Sequence, residues 1–419
     1  MKQIAKTLLM MIMLISLVGA VAPMVVEPRM EYDAEWDLGI VANKYDSTTL
    51  QNNTTKLNAA LQGMWKGASV TFAHGPSPGP VIRPIRFSGK TFYFKPPILT
   101  SDKIGGCIVG TGGQSYIMSD DNYDNQNNHG GMRTRIVGVN STGETYPVIR
   151  LKGTGFEIRG MDILGQRLPS ISGGVPQGTG DKAIACIQVE GGNSPRYRGK
   201  HVFRDLGLYM ATYGIQTIPG YYTGTTFTSD ENHADLSYVE NLSAQGVTSV
   251  FRSENQLSLG WNFNQIEVGA AAYDGSPVTI FDIQRGGQLF ANSVLIDSPN
   301  CVLINTHDFS PYTNNFNITN ILWDNYDFGV HTYYLTLFKY SGTTDASWLF
   351  WNVRITGALA EYDVAEYDET KLIDIPGTLT KAACNIFTDI QHLPTEIDSG
   401  HAGAEFTISG SGPWYKYTP

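Results

Sequence analysis

The sequence predicts an all-β fold, a β-solenoid of many short strands with one α-helix near its N-terminus. The composition supports this prediction, because 45 glycines and 20 prolines in 419 residues supply many turns while only 16% of residues are charged. Short runs with alternating apolar and polar residues follow one another from residue 84 onward. A degenerate phrase of six residues also recurs along the chain, as expected for stacked structural repeats.

The first 22 residues are predicted to be a secretory signal peptide. Lys2 and Lys6 precede an apolar run, Thr7 to Ala22, that is too short and wrongly flanked for a membrane span. The small residues Ala20 and Ala22 fit the usual cleavage pattern. We therefore expect a protein that is secreted, periplasmic or on the cell surface, with no membrane contact after cleavage.

Residues 23–83 are predicted to form an N-terminal segment that contains a capping helix. The stretch STTLQNNTTKLNAALQGMWKGA begins with good capping residues and then carries apolar residues at helical spacing. These apolar residues are Leu57, Ala60, Leu61, Met64 and Trp65. Residues 84–419 are predicted to form the solenoid domain, since strands bounded by Gly, Pro, Asn or Asp occupy that whole range.

The recurring phrase has the order apolar, any, polar, apolar, any, apolar. Its copies are FRDLGL at 203, VENLSA at 239, FNQIEV at 263, ITNILW at 318, FWNVRI at 350 and FTDIQH at 387, with weaker copies IRGMDI at 158 and FANSVL at 290. In stacked repeats, polar side chains at equivalent turn positions can form a hydrogen-bonded ladder. The third positions predicted to form this structural ladder are Asp205, Asn241, Gln265, Asn292, Asn320, Asn352 and Asp389.

These features resemble the pectate-lyase superfamily of right-handed parallel β-helices. The resemblance is carried by the helix TTKLNAALQGMWK, by GKTFYFKPPILTSDKIGGCIVGTG, by the strand TRIVGV and by VIRLKGTGFEIRGMDILG. It implies a right-handed parallel β-helix whose first coil is capped by the helix. The superfamily includes lyases, glycoside hydrolases and phage tailspikes, so the resemblance indicates a fold rather than a single activity.

A second strand follows each copy of the phrase, and its outward residues form a predicted row. In FDIQRGG, residues 281–287, alternation places Phe281 and Ile283 inside and therefore places Asp282 and Gln284 outside. We expect Asp282 to face solvent in this row. Its predicted neighbours on successive coils are Gln216, Arg252, Asn305, Lys339 and Asp374.

The densest group of ionisable residues near this row is the candidate catalytic site, and two chemistries are open. For a glycoside hydrolase, Asp282 would share the acid and the nucleophile or base roles with Glu254 or Asp308. For a uronate lyase, His307 or Arg252 would be the base, and Arg285 would stabilise the developing negative charge. Stacked strands place neighbouring rows about 5 Å apart and alternate rows about 10 Å apart, and these distances bracket the carboxylate separations of retaining and inverting glycosidases.

Substrate-binding residues are predicted in two places. Gln284 and Lys339 lie along the outward row, where a glycan could follow a groove across successive coils. The insertion YYTGTTFTSDENHAD supplies aromatic rings for sugar faces and carboxylates for hydroxyl groups. Its candidate residues are Tyr221, Tyr222, Asp230, Glu231 and His233.

Charge and ligand spacing restrict the possible partners. A net charge of −10 without a basic block argues against a nucleic-acid partner. The four cysteines lack C-x-x-C spacing, and the acidic segment from Ser119 to Gly131 does not fit an EF-hand loop, so no metal site is predicted. We expect no cofactor, apart from a calcium ion if the protein is a lyase.

The sequence thus predicts a secreted enzyme that acts on a polysaccharide, either a glycoside hydrolase or a polysaccharide lyase. A non-catalytic glycan-binding or cell-surface structural protein of the same fold is an alternative, as is a tailspike-like depolymerase or adhesin. Monomer and homotrimer are both compatible with the sequence.

Overall fold

A computed structural model describes nineteen stretches of the chain. They are residues 31–62, 84–100, 105–112, 133–172, 175–191, 198–220, 234–255, 258–269, 277–285, 288–297, 300–307, 314–323, 334–342, 350–359, 371–375, 383–391, 397–399, 405–409 and 415–417. The predicted signal peptide and the Ser119–Gly131 segment lie outside these residues.

The predicted helix is confirmed as α1, Ser47–Leu61. Asp46 caps its N-terminus, because Oδ1 accepts the backbone N–H of Thr49 and Oδ2 accepts the Thr49 hydroxyl. These hydrogen bonds, the side-chain bond first, lower the pKa of Asp46 to about 2. The buried face includes Leu57, Ala60 and Leu61 as predicted, whereas Met64 and Trp65 lie outside the described residues.

Asn53 fastens α1 to the sheet. Its side chain is fully buried, donates to the carbonyl groups of Val41 and Tyr93, and accepts the backbone N–H of Val41. A buried amide with every bond satisfied positions a helix specifically, because any displacement would leave polar groups without partners.

The described strands number 29. They are β1 Tyr32–Asp33, β2 Ile85–Arg86, β3 Thr91–Phe94, β4 Ile98–Leu99, β5 Cys107–Val109, β6 Thr134–Gly138, β7 Ile149–Leu151, β8 Glu157–Leu164, β9 Arg167–Ser172, β10 Val175–Thr179, β11 Ala183–Glu190, β12 Arg198–Gly199, β13 Val202–Tyr209, β14 Ala211–Ile218, β15 Ala234–Asp235, β16 Tyr238–Gln245, β17 Ser249–Ser253, β18 Trp261–Gly269, β19 Val278–Ile283, β20 Gln288–Asp297, β21 Asn300–Thr306, β22 Asn314–Trp323, β23 Tyr334–Tyr340, β24 Phe350–Leu359, β25 Lys371–Ile375, β26 Ala383–Gln391, β27 Ile397–Ser399, β28 Glu405–Ser409 and β29 Tyr415–Tyr417.

Two long sheets, which are parallel except at one end of the first, contain most of these strands. The large sheet has 15 strands, and its main path runs β1-β2-β5-β8-β13-β16-β18-β20-β22-β24-β26-β28-β29, with only the last pair antiparallel. The small sheet has 10 strands in the order β27-β25-β23-β21-β19-β17-β14-β11-β7-β4. From β16 onward, successive strands alternate between the two sheets until β28. The prediction of an all-β parallel fold with one N-terminal helix is therefore confirmed over the described residues.

The large sheet begins before residue 84, because β1 pairs in parallel with β2. Among the described residues, no helix is long and apolar enough to cross a bilayer.

The core is formed by the apolar residues that alternate along the strands of both sheets. Its centre is a group of aromatic rings in which Trp261 stacks near Phe203 and Phe263 and contacts Phe251, with ring centroids 4.8–6.2 Å apart. The buried indole N–H of Trp261 donates to the carbonyl group of Ala234. Rings from different strands thus fix the stacking of successive repeats.

A residue in the left-handed conformation bends each of six neighbouring strands of the large sheet, β8, β13, β16, β18, β20 and β22. We call this set the left-handed row, and its members are Gly160, Asp205, Asn241, Gln265, Ser293 and Asn320, with φ between 51° and 68°. Glycine, asparagine and aspartate tolerate this conformation better than other residues. The requirement for it explains why small or polar residues recur at this place in the phrase.

The predicted polar ladder is present in part. Asn241 donates to the Asp205 carboxylate over 2.7 Å, and Asn320 donates to the Asn292 amide oxygen over 2.8 Å. Asn352 was wrongly included, since it pairs with Asn315 rather than with Asn320. Strand register therefore places this copy of the phrase several residues away from the left-handed row, which similarity of residue types alone does not reveal.

Candidate functional site

The predicted outward row exists on the small sheet. Strand register aligns its six members one after another across β14, β17, β19, β21, β23 and β25, and we call them the polar row. They are Gln216, Arg252, Asp282, Asn305, Lys339 and Asp374. The period-two alternation of β-strands was thus sufficient to find this row.

The expectation that Asp282 faces solvent was wrong. Asp282 is outside the apolar core but only 4% exposed. Two side chains cover its carboxylate, namely Arg252 on the neighbouring strand β17 and His307 directly after the neighbouring strand β21. Alternation correctly predicted the face of the sheet, but the burial depends on contacts between strands that are far apart in sequence.

Both oxygens of the Asp282 carboxylate are engaged. Oδ2 accepts from Nη1 of Arg252 over 2.5 Å. Oδ1 lies 2.6 Å from Nε2 of His307 and 3.4 Å from Nδ2 of Asn305. Neither oxygen is therefore available to attack a substrate or to carry a proton for donation, so the geometry suits an orienting role for Asp282.

The contact with Asp282 assigns the tautomer of neutral His307. A carboxylate oxygen only accepts, so a hydrogen bond across this contact needs the hydrogen on Nε2, which leaves the lone pair on Nδ1; the approach of Asn305 Nδ2 to Nε2 at 3.1 Å is then a contact without a hydrogen bond. Nδ1 makes no hydrogen bond to any described residue, and 22% of the side chain is exposed. His307 is thus a partly accessible base whose ring is held by a carboxylate, an arrangement that is common in acid–base catalysis.

Arg252 joins two carboxylates. Its Nε donates to Oε1 of Glu254 over 2.6 Å while its Nη1 binds Asp282. Burial alone would lower the pKa of Arg252, but the attraction of Asp282 and the hydrogen bond to Glu254 outweigh that effect and raise it. The guanidinium also lies 4.7 Å from the ring centroid of Tyr213, so its position is fixed from three sides.

Hydrogen bonds continue along the small sheet on both sides of this cluster. Toward the N-terminal strands, Gln216 donates to Glu254 over 3.1 Å and accepts from Gln188 over 2.7 Å. On the other side, the Ser341 hydroxyl donates to Asn305 over 2.8 Å. The cluster therefore belongs to a connected network, which restricts the rotamers of its members.

The remaining predicted residues are placed less closely. Backbone N–H groups of Gln284 and Arg285 bind the carbonyl oxygen of Ser253, and the Arg285 side chain is exposed. Lys339 lies in the polar row and contacts Asp374 over 3.5 Å. Asp308 and the loop residues Tyr221, Tyr222, Asp230, Glu231 and His233 lie outside the described residues.

Sequence reasoning gave no role in the site to Asn305, Ser341 or Tyr213. Asn305 was placed in the row only as a polar residue, although its amide contacts both Asp282 and His307. Tyr213 precedes Gln216 by three residues on β14 and reaches Arg252 on the next strand. The sequence could have indicated that Tyr213 lies opposite the start of β17. It could not have predicted the cation–π contact, because that contact depends on the directions of both side chains.

The described residues contain no cluster of three or more histidine, cysteine or acidic side chains that could hold a metal ion. Calcium for a lyase remains a prediction. Cys186 and Cys301 are free and buried, and burial raises the pKa of both thiols.

Two surface cavities lie away from this cluster, along the large sheet. No protein-family model, curated protein or solved structure matches the chain.

Proposed function

We propose that the protein is a polysaccharide-active enzyme in which His307 is the general base and Asp282 its orienting partner. The observation that carries this proposal is the 2.6 Å contact between Nε2 of His307 and Oδ1 of Asp282, beside the Arg252 guanidinium. A base and a cation within one connected cluster are the minimum that acid–base chemistry on a glycan requires.

The proposal includes the finer architecture. Alternation of strands between two parallel sheets supports a right-handed parallel β-helix of the pectate-lyase type, with the small sheet as its catalytic face. On such a face a glycan would lie across successive strands, next to the polar row. Secretion to the cell surface, periplasm or medium follows if the N-terminal 22 residues are a signal peptide.

Elimination beside a uronate is the reaction that the cluster favours. Nδ1 of His307 would take the proton next to the sugar carboxylate, while Nε2–H remains bound to Asp282. The bond between the neighbouring carbon and the linking oxygen would break as the C=C bond forms, and the proton held by His307 would return through solvent to the leaving oxygen. The resulting imidazolium is stabilised by that carboxylate, as in other His–carboxylate pairs. Elimination needs one base and a nearby cation, whereas hydrolysis by two carboxylates needs both to be accessible, and Asp282 is not.

Hydrolysis remains the second catalytic candidate because of Glu254. Only Oε1 of this carboxylate is bound by described residues, and 31% of its side chain is exposed. Glu254 could therefore donate or accept a proton at Oε2 while His307 activates a water molecule. The mass of the products distinguishes the two reactions, since hydrolysis adds water and elimination leaves an unsaturated sugar.

A different observation favours a non-catalytic protein, which would be a glycan-binding protein, a structural protein of a cell surface or a tailspike-like adhesin. The hydrogen bonds from Gln188 to Ser341 form a network that would also stabilise a purely structural face. In that case none of the cluster residues would affect a reaction.

The test is the turnover of responsive polysaccharides by His307→Asn and Asp282→Asn variants. Loss of a general base should lower kcat by about 10²–10⁴-fold, and His307→Asn retains a donor for Asp282. Arg204→Gln is the matched control, because Arg204 belongs to an exposed ion pair with Glu240 on the large sheet. A His307→Asn enzyme with wild-type kcat would refute the proposed base.

A further inference from the structure

The large sheet carries a second feature, a groove that follows the left-handed row. One cavity of 530 Å³ is lined by Asn241, Gln265, Ser293 and Asn320, among others. A second cavity of 340 Å³ is lined by Gly160, Asp205 and again Asn241. The two cavities share Asn241 as a lining residue, so together they lie beside every member of the left-handed row, and we call the two cavities together the groove.

The length and period of the groove follow from the stacking of strands. Neighbouring strands are about 4.8 Å apart, so five steps across six strands give a groove of about 24 Å. A polar residue is presented at nearly every step, because the bend in each strand turns the left-handed residue toward the surface. The groove thus presents a repeating surface with a period close to the length of one sugar ring.

The side chains in the groove match the two kinds of surface on a sugar. Gln265 and Ser293 make no side-chain hydrogen bond to any described residue, and their amide and hydroxyl groups both donate and accept. Leu295 and Leu322 line the same cavity, each two positions beyond the left-handed residue of its strand, and Leu322 is 46% exposed. Hydroxyl groups can bind the polar side while C–H groups pack against the leucines.

Charge and period identify the class of ligand. The ionisable groups lining the groove are Asp205, Glu267 and Arg159, so the groove carries a small negative charge that disfavours nucleic acids and acidic glycans. Side chains on one face of an extended peptide recur every 6.8 Å or so, which does not match the strand spacing. A linear polymer of uncharged sugars fits both conditions.

We propose that this groove binds a linear, uncharged stretch of polysaccharide that runs across the strands, with about one sugar unit per strand. This site lies on the large sheet and does not depend on the catalytic proposal for His307. It would hold the polymer on the protein, whether or not the small sheet acts on it.

The experiment is calorimetric titration of the mature protein with neutral disaccharides and hexasaccharides of 1,4-linked glucan, mannan and xylan. At least one hexasaccharide should bind roughly tenfold or more tightly than its disaccharide, because it occupies more steps of the groove. Gln265→Ala should weaken that binding roughly two- to twelvefold, as expected for the loss of one hydrogen bond.

Two variants complete the design. Leu322→Asp should abolish measurable binding, because it replaces the apolar surface that sugar C–H groups would contact with a charged, hydrated carboxylate. Asn262→Ala is the control, since Asn262 is exposed on the same strand as Gln265 but does not line the groove. Equal thermal midpoints establish that all variants fold.

The inference is overturned if the wild-type protein binds none of the hexasaccharides, or if the Gln265→Ala, Leu322→Asp and Asn262→Ala proteins all bind like wild type. The catalytic proposal is tested separately by turnover in the His307→Asn protein. Groove binding without any turnover would support this site and reject the catalytic proposal. Turnover without groove binding would support the catalytic proposal and reject this site.

Discussion

Replacing Asp282 and Arg252, singly and together, should reveal strong coupling in the free energy of unfolding. Two opposite unit charges 4 Å apart attract by about 4 kcal/mol at an effective dielectric constant of about 20. Removing a charge from solvent cancels part of this gain, and Arg252 keeps Glu254 as a second partner. We therefore expect a coupling energy of about 2 kcal/mol between Asp282→Asn and Arg252→Gln.

The exposed pair Arg204–Glu240 is the matched control. It also joins aligned residues of neighbouring strands, with 3.1 Å between Nε and Oε2, but its side chains are 45% and 37% exposed. Exposed pairs contribute about 0–1 kcal/mol. The Arg204→Gln and Glu240→Gln cycle should therefore give a coupling well below that of the buried pair.

Urea unfolding followed by circular dichroism measures both cycles, with the slopes compared to verify that the variants unfold alike. A coupling for Asp282 and Arg252 no larger than that for Arg204 and Glu240 would refute the reasoning that burial strengthens the Asp282–Arg252 ion pair.

Three further predictions concern other parts of the molecule. Burial lowers the pKa of His201 from 6.5 to about 4. The free energy of unfolding should therefore be constant above pH 6.5 and fall by about 3 kcal/mol as the pH is lowered to 4, because only the unfolded chain binds a proton there. In urea titrations at several pH values, His201→Asn should flatten this pH dependence, and an unchanged pH dependence would contradict the prediction. Gln265→Asn should raise the free energy of unfolding by up to about 1 kcal/mol, because asparagine tolerates the φ of 59° at this position better than glutamine does. A urea midpoint below that of the wild type would contradict the view that Gln265 is strained. Cys186 and Cys301 should resist thiol reagents at pH 8 until denaturant is added, since both are fully buried; mass spectrometry showing rapid labelling of the native protein would be the contrary result.

Much of the fold could be predicted because the relevant signals are local. Apolar spacing and the capping residues at the start of STTLQNNTT predicted α1, although the residue that caps it is Asp46. Period-two alternation placed Arg252, Asp282 and Asn305 in one row before their register was known. The bend at the left-handed row also left a signal, since only a few residue types tolerate its backbone conformation.

The details of the candidate site could not be predicted, because they depend on contacts between strands. The burial of Asp282 results from Arg252 and His307, which lie 30 residues before it and 25 after it. No pattern in the chain indicates that Arg252 would bridge two carboxylates. The register that pairs Asn352 with Asn315 is likewise set between strands, where single-sequence patterns carry little information.

The most direct test of the central claim is mass analysis of the products formed from a panel of neutral and acidic polysaccharides by the wild-type and His307→Asn proteins. Unsaturated products from a uronate-containing polysaccharide, formed by the wild type and not by the variant, are the result that the proposed base predicts. Hydrated products would instead indicate hydrolysis and direct attention to Glu254. Absence of product from every polysaccharide, or equal product from both proteins, would contradict the assignment of His307 as the base.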